Sequence, residues 1–93
     1  MAITPAQCRA ARALLDWTQD ELAERAAVSR GTIRGFESSQ HALQRSTASA
    51  ILRALEAGGV RFVEADRNGG EGVRFAGLED PVAATAVDEA SGV

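Results

Sequence analysis

Two arginines and two glycines alternate in the segment "SRGTIRGFE" (residues 29–37), which otherwise has the cap and apolar spacing of a helix. Arg30 and Arg34 are one helical turn apart, and so are Gly31 and Gly35. Guanidinium groups in such positions can reach phosphate oxygens or guanine edges. Each glycine costs a helix roughly 0.5–1 kcal/mol relative to alanine. Either another molecule approaches the backbone closely at these glycines, or the helix packs there against another helix or a second subunit.

Catalytic chemistry finds little support in the sequence. His41 is the sole histidine and lies in a polar segment, where a solvent-facing side chain is the simplest interpretation. Cys8, the sole cysteine, falls on an apolar helix face and is interpreted as a packing residue. The glycines of "RNGGEG" (residues 67–72) suit a hairpin turn better than a phosphate loop, because no lysine or helix follows. We therefore expect no enzymatic activity, no metal site and no cofactor.

The charge is unevenly distributed along the 93 residues. The formal net charge is −3, all ten basic residues are arginine, and none follows Arg74. The segment from residue 77 to residue 93, called the acidic tail below, contains four acids and no base, so its removal would change the net charge to +1. Whole-chain charge is thus a poor guide to the surface that meets a partner. No apolar run reaches membrane-spanning length and no signal peptide is visible, so we expect a cytoplasmic protein without membrane contact.

Four short helices are predicted from capping signals and apolar spacing. The first begins after Thr4, in a capping box with Gln7, and runs to about Asp16. The fourth ends at Gly58-Gly59. The predicted N-caps are Thr4, Thr18, Ser29 and, for the fourth helix, Ser46 or Thr47.

Two short runs of strand formers follow the helices, at residues 60–65 and 72–76, and predict a β-hairpin. A two-stranded hairpin is marginal alone, so it should pack on the helices or pair with a second copy. We divide the chain into a helical domain (1–58), a hairpin extension (59–76) and a disordered acidic tail (77–93). The residues assigned to dimerisation are Val60, Phe62, Val73 and Phe75.

The second and third helices are separated by a turn of about three residues, Ala27-Val28-Ser29. Their apolar positions form one compact wedge and leave the N-terminal part of the third helix exposed. This is the arrangement that places a recognition helix, here residues 29–38, in a DNA major groove.

From Cys8 to Leu55 the chain resembles the Xre/Cro-type helix-turn-helix regulators, through "R-x-x-L-x-W-T-Q-x-E-L-A" followed by "V-S-x-x-T-I-x-x-F-E". The resemblance implies a mainly α, lambda-repressor-like bundle of four to five short helices, with a C-terminal β-hairpin. It also implies a homodimer on a two-fold, double-stranded DNA operator. Glycine is frequent in the family where this chain has Ala27, and a left-handed backbone there would cost alanine roughly 1 kcal/mol.

The resemblance also assigns residues. It pairs Arg12 with Glu37, which ties the first helix to the end of the third. It places a phosphate contact at the start of the second helix and further contacts along the third. The DNA-binding residues that it implies are Gln19, Arg30, Gly31, Thr32, Arg34 and Gly35, and we add Ser29 and Arg45 to them as candidate DNA-binding residues.

Two functions remain open from the sequence. The first is a sequence-specific transcriptional regulator, more readily a repressor than an activator. The alternative is a protein-binding antiactivator or antitoxin-like partner that retains the fold and uses the third helix, the hairpin or the acidic tail against another protein.

Overall fold

The computed structural model describes residues 2–77, which form four helices followed by one hairpin. This mainly α architecture with a C-terminal hairpin confirms the predicted fold class. All of the acidic tail except residue 77, and with it the predicted disorder, lies outside the described residues. No helix among residues 2–77 is long and apolar enough to cross a membrane. The elements are α1 (Pro5–Leu15), α2 (Gln19–Ala26), α3 (Arg30–Glu37), α4 (Arg45–Gly58), β1 (Val60–Val63) and β2 (Gly72–Phe75).

Three of the four predicted N-caps are confirmed. The side chains of Thr4, Thr18 and Ser29 each accept a hydrogen bond from the backbone N–H three residues further along. These bonds satisfy amide groups that have no partner within the helix, and they fix where α1, α2 and α3 begin.

The predicted start of α4 was wrong. Its N-cap is Gln44 rather than Ser46 or Thr47, and no side chain caps it. The Gln44 carbonyl accepts from Ala48 N–H at 2.9 Å, which closes the first turn. Leu43, just before the cap, packs against the core, so tertiary packing rather than a capping hydroxyl sets this end of the helix.

One hydrophobic core joins the helices and the hairpin. Its fully buried side chains include Leu22 from α2, Ile33 from α3 and Leu55 from α4. The wedge that the sequence predicted between α2 and α3 thus forms part of a single core. The core consists of Ile3, Cys8, Ala11, Leu22, Ala23, Ala26, Ile33, Phe36, Ile51, Leu55, Val60 and Phe62.

The two strands pair antiparallel, with Val60 opposite Phe75 and Phe62 opposite Val73. Val60 and Phe62 are buried in the core of their own chain, at 2% and 8% exposure, whereas Val73 and Phe75 are half-buried. The hairpin therefore packs on its own helices, one of the two arrangements that the sequence allowed. Of the four residues assigned to dimerisation, only Val73 and Phe75 keep part of their surface free.

Gln7 connects the start of the chain to the hairpin. It completes the capping box, since its Oε1 accepts from Thr4 N–H at 2.9 Å and its own N–H donates to Thr4 Oγ1 at 3.0 Å. Its Nε2 also donates to the Gly72 carbonyl at 2.9 Å and to the Val63 carbonyl at 3.4 Å. One buried amide therefore holds α1 against the end of both strands.

Candidate nucleic-acid interface

The turn between α2 and α3 is held by a left-handed residue. Ala27 has φ 57° and ψ 44°, and its N–H donates to the Glu24 carbonyl at 3.2 Å. Val28 N–H then donates to the Ala23 carbonyl at 3.0 Å, which ends α2 abruptly. The chain turns within three residues, and Ser29 begins α3. The left-handed alanine foreseen at this position is therefore present.

α3 buries one side and exposes the other. Ile33 and Phe36 face the core, whereas Arg30, Gly31 and Arg34 are exposed. The amphipathic pattern leaves both arginines of this helix in solvent, one turn apart.

Glu37, at the end of α3, is the centre of a buried polar network. Its carboxylate is 2.7 Å from Arg12 Nη2 and 2.8 Å from Arg12 Nε, which makes a bidentate ion pair. Gln19 Nε2 donates to Oε1 at 2.9 Å, and the Cys8 thiol donates to Oε2 at 3.1 Å. Arg9 donates to the Glu37 backbone carbonyl. Side chains from α1 and α2 thus meet at one carboxylate on α3.

The network controls the protonation of its members. Burial acts to raise the pKa of Glu37, but the hydrogen bonds from Arg12, Gln19 and Cys8 outweigh it and hold that pKa below the ordinary value. The hydrogen bond to Glu37 raises the pKa of Arg12. Burial, reinforced by Glu37, raises the pKa of Cys8 well above that of a free thiol, so Cys8 stays protonated and unreactive.

An open groove of about 450 Å³ lies beside this network, between the start of α2 and α3. We call it the arginine groove. Its lining brings together Gln19, Arg30 and Arg34, three of the residues that the resemblance assigns to DNA. The full lining is Arg12, Thr18, Gln19, Asp20, Arg30 and Arg34.

Gln19 and Arg30 are both engaged at the groove. One amide hydrogen of Gln19 is used by Glu37, which orients its side chain at the first residue of α2. Arg30 Nη1 lies 3.3 Å from Asp20 Oδ1 in an ion pair whose side chains are both more than 60% exposed. An exposed pair of this kind contributes about 1 kcal/mol or less, so Arg30 can exchange Asp20 for another anion at little cost.

The two glycines of α3 have different surroundings. Gly31 is exposed, and a Cβ added there would have Ser29 Oγ, at 3.9 Å, as its nearest neighbour. Gly35 is buried, because the imidazole of His41 lies directly over it. The sequence predicted both glycines on one exposed face of the helix, but only Gly31 is exposed in the structure.

The remaining predicted residues lie in two further places. Ser29 and Thr32 share a hydrogen bond of 2.8 Å between their hydroxyls at the start of α3. Arg45 is the first residue of α4 and lines a separate groove with Ile3, Leu43 and Leu52. The structure thus groups Gln19, Arg30 and Arg34, and leaves Arg45 outside the arginine groove. The contacts of all these residues with DNA stay predictions.

Three groups at this surface were missed by the sequence interpretation. Asp20 was not singled out, although an acid at the second position of a helix is a common N-terminal residue. The Cys8 thiol was interpreted as part of the core and the His41 ring as solvent-facing, and neither was assigned a contact. Their contacts with Glu37 and Gly35 join residues of different elements, so no local spacing signals them.

Within residues 2–77, no three histidine, cysteine or acidic side chains are grouped so that they could hold a metal ion. The arrangement suits another kind of binding. Two exposed arginines, an oriented glutamine and a helix with a bare glycine can meet the phosphates and base edges of a duplex.

Comparisons with known proteins agree with this geometry. The helix-turn-helix family model HTH_3 matches residues 9–58, which is more than half of the chain and spans α2, the turn and α3. No curated protein matches the chain. The chain therefore belongs to the Xre-type, lambda-repressor-like helix-turn-helix family of DNA-binding regulators.

Proposed function

We propose that this protein is a sequence-specific transcriptional regulator that binds its operator as a homodimer and represses transcription. The observation that carries the proposal is the arginine groove. Arg30 and Arg34 project from the exposed side of a helix whose other side is anchored in the core. A rigidly held helix with exposed guanidinium groups is suited to read a major groove.

Each part of the surface has a role in this proposal. Arg30 and Arg34 bind guanine edges or phosphates, and Gly31 lets the backbone of α3 come close to the bases. Gln19 is oriented by Glu37, and a second amide hydrogen on its Nε2 is left to donate to a phosphate. Repression follows from occupancy, because a bound regulator of this size needs no further surface to block a promoter.

Substitution of both groove arginines tests the proposal. Arg30→Ala/Arg34→Ala should reduce the affinity for DNA flanking the protein's own gene by roughly 100-fold, and should abolish its preference over scrambled DNA. Fluorescence anisotropy with both duplexes, over a series of salt concentrations, measures affinity and preference together. Circular dichroism should show an unchanged fold, since both side chains are exposed.

The matched control is Arg53→Ala/Arg67→Ala, which removes the same charge from exposed arginines that do not line the groove. It should lower affinity only slightly and leave the preference intact. If the two double variants bind equally well, or if wild-type protein does not distinguish the duplexes, the arginine groove does not read sequence.

The homodimer is supported by the small number of positive groups at the groove. Few phosphate contacts from one protomer give modest affinity, and two linked half-sites raise it. Light scattering at concentrations that bind DNA gives the mass directly. A monomer bound to a full operator would contradict this part of the proposal.

A second candidate function is protein binding, and the hairpin favours it. Arg61 and Arg74 are directly opposite each other across the strands, both exposed, beside a groove lined by Phe75 and Ala76. Like charges in this position repel unless an anion lies between them, so an acidic protein segment would fit there. A protein-binding module of this kind would be indifferent to Arg30→Ala/Arg34→Ala.

A further inference from the structure

An acidic side chain lies among the residues proposed to bind DNA. Asp20 lines the arginine groove beside Gln19, Arg30 and Arg34, and its side chain is 66% exposed. A carboxylate in this position repels the phosphates of a duplex. Stabilisation of the N-terminus of α2 does not require an acid in the groove, because Glu21 supplies one in the same first turn outside it. Asp20 therefore lowers the affinity of the groove for DNA in general.

Asp20 engages one nitrogen of the Arg30 guanidinium. Its Oδ1 and Oδ2 accept from Arg30 Nη1 at 3.3 Å and 3.5 Å, and this contact joins the start of α2 to the start of α3. An arginine side chain has five N–H donors, three of which belong to Nη2 and Nε. Neither of these nitrogens makes a hydrogen bond within the part of the chain that the structure describes. Arg30 can therefore make a bidentate contact with DNA while it keeps Asp20.

The two kinds of acceptor that DNA offers to Arg30 differ in charge. Guanine presents O6 and N7, which are neutral and accept a bidentate guanidinium. A phosphate is an anion, so Arg30 would bring it close to the Asp20 carboxylate. The repulsion between the two anions grows as the duplex covers the groove and displaces water. Asp20 thus disfavours a phosphate contact of Arg30 much more than a guanine contact.

We propose that Asp20 is a specificity-determining residue that acts through Arg30. It directs the remaining donors of the guanidinium to a guanine in the major groove of the operator, and it disfavours phosphate contacts of the same side chain. The inference rests on the proposed DNA-binding function and assigns one operator base to one arginine. Arg34 forms no ion pair within residues 2–77, so it is not restrained in this way.

Fluorescence anisotropy with Asp20→Asn tests the inference. The duplexes are the DNA flanking the protein's own gene and a scrambled duplex of the same length and base composition. Asp20→Asn should bind the scrambled duplex about threefold more tightly than wild type, because a phosphate contact of Arg30 is no longer disfavoured. Its affinity for the flanking DNA should change little, because the lost orientation of Arg30 offsets the lost repulsion. The preference should therefore fall about threefold, with an unchanged circular dichroism spectrum since Asp20 is exposed.

Glu21→Gln is the matched control. Glu21 is also an acid in the first turn of α2 and forms an ion pair with Arg25 at 3.4 Å, but it does not line the groove. Its substitution should change the affinity for both duplexes by the same small factor and keep the wild-type preference.

A double-mutant cycle with Arg30→Ala shows whether Asp20 acts through Arg30. Arg30→Ala alone should lower the preference roughly tenfold, because a bidentate base contact is lost. Addition of Asp20→Asn should lower the preference no further. In an Arg34→Ala background, by contrast, Asp20→Asn should lower the preference by the same factor as in wild type.

Three results would overturn the inference. If Asp20→Asn retains the wild-type preference, the carboxylate does not contribute to specificity. If it lowers the preference by the same factor with and without Arg30, Asp20 acts on DNA independently of Arg30. These two results leave the proposed function standing. If wild-type protein does not distinguish the duplexes, the proposed function fails and the inference with it.

Discussion

Glu37 is the residue on which the alignment of α3 depends most. Its side chain is only 2% exposed, yet it carries a charge, and the donors around it come from α1 and α2. A buried carboxylate with every oxygen bonded is stable only as long as all its partners remain. The same network also orients Gln19, so the side chain that we propose as a phosphate contact is positioned by a carboxylate that is itself buried.

Glu37→Gln should lower the free energy of unfolding by about 3 kcal/mol at pH 7, because it leaves the Arg12 guanidinium half-paired. The depressed pKa of Glu37 means that its contribution is complete above the unfolded-state value of about 4.3 and is lost as pH falls through the lower folded-state pKa. The difference between wild type and variant should therefore shrink below about pH 4.

Urea unfolding at pH 7 and at about pH 3 measures both effects. Glu56→Gln is the matched control, since it neutralises an exposed carboxylate on α4 and should change stability little at either pH. Equal stability of Glu37→Gln and wild type at pH 7 would show that the charge of Glu37 makes no net contribution to the free energy of unfolding.

The residues of this network were only partly predictable. Arg12 and Glu37 were paired through the family resemblance, whereas Gln19 was assigned only a phosphate. Cys8 is separated from Glu37 by 29 positions in the sequence. A cysteine on an apolar helix face is interpreted as a packing residue, because the sequence does not show which side chain contacts it. Contacts of this kind depend on how α1 crosses α3, which no local pattern contains.

At the scale of elements, the sequence specified helix starts well where a side chain caps them. The caps of α1, α2 and α3 involve residues three positions apart and are therefore visible in the sequence. The start of α4 depends on Leu43 packing into a core built by other helices, and the prediction failed there. The hairpin was predicted from its strand formers. The sequence did not predict whether it packs on the helices of its own chain or pairs with a second copy.

The turn between α2 and α3 offers a test at this scale. Ala27→Gly should raise the free energy of unfolding by about 1 kcal/mol, because it relieves the left-handed strain of a side chain at φ 57°. Thermal or urea unfolding measures the change, and DNA affinity should be unaltered since the backbone of the turn is kept.

Ala13→Gly provides the control for that substitution. Ala13 is exposed within α1, where glycine should instead destabilise by about 1 kcal/mol. If Ala27→Gly raises the free energy of unfolding and Ala13→Gly lowers it, the gain at residue 27 comes from its left-handed backbone conformation. A loss of stability at both would mean that the turn is not strained.

At the scale of the whole molecule, charge opposes the proposed function. The net charge is −3, although the chain without its acidic tail would carry +1. Acids tethered to a DNA-binding domain repel phosphate and compete for its arginines, most strongly at low salt where screening is weak.

Truncation after Gly77 should therefore tighten DNA binding several-fold at about 50 mM salt, and much less at about 300 mM. A full-length variant with Glu79→Gln, Asp80→Asn, Asp88→Asn and Glu89→Gln separates charge from length, and should behave like the truncation. Anisotropy on scrambled DNA suffices, since the effect is electrostatic. Unchanged affinity of both variants would show that the acidic tail does not influence the DNA-binding surface.

The hydrogen bonds of Gln7 tie the two ends of the folded chain into one cooperative unit. The Gly72 carbonyl that this side chain reaches is 65 positions further along the chain. Fraying of the first turn of α1 would break these bonds and release the end of the hairpin. Fraying of the helix and opening of the hairpin are therefore coupled. Amide hydrogens at Thr4 and Gln7 should therefore exchange together with those of β2.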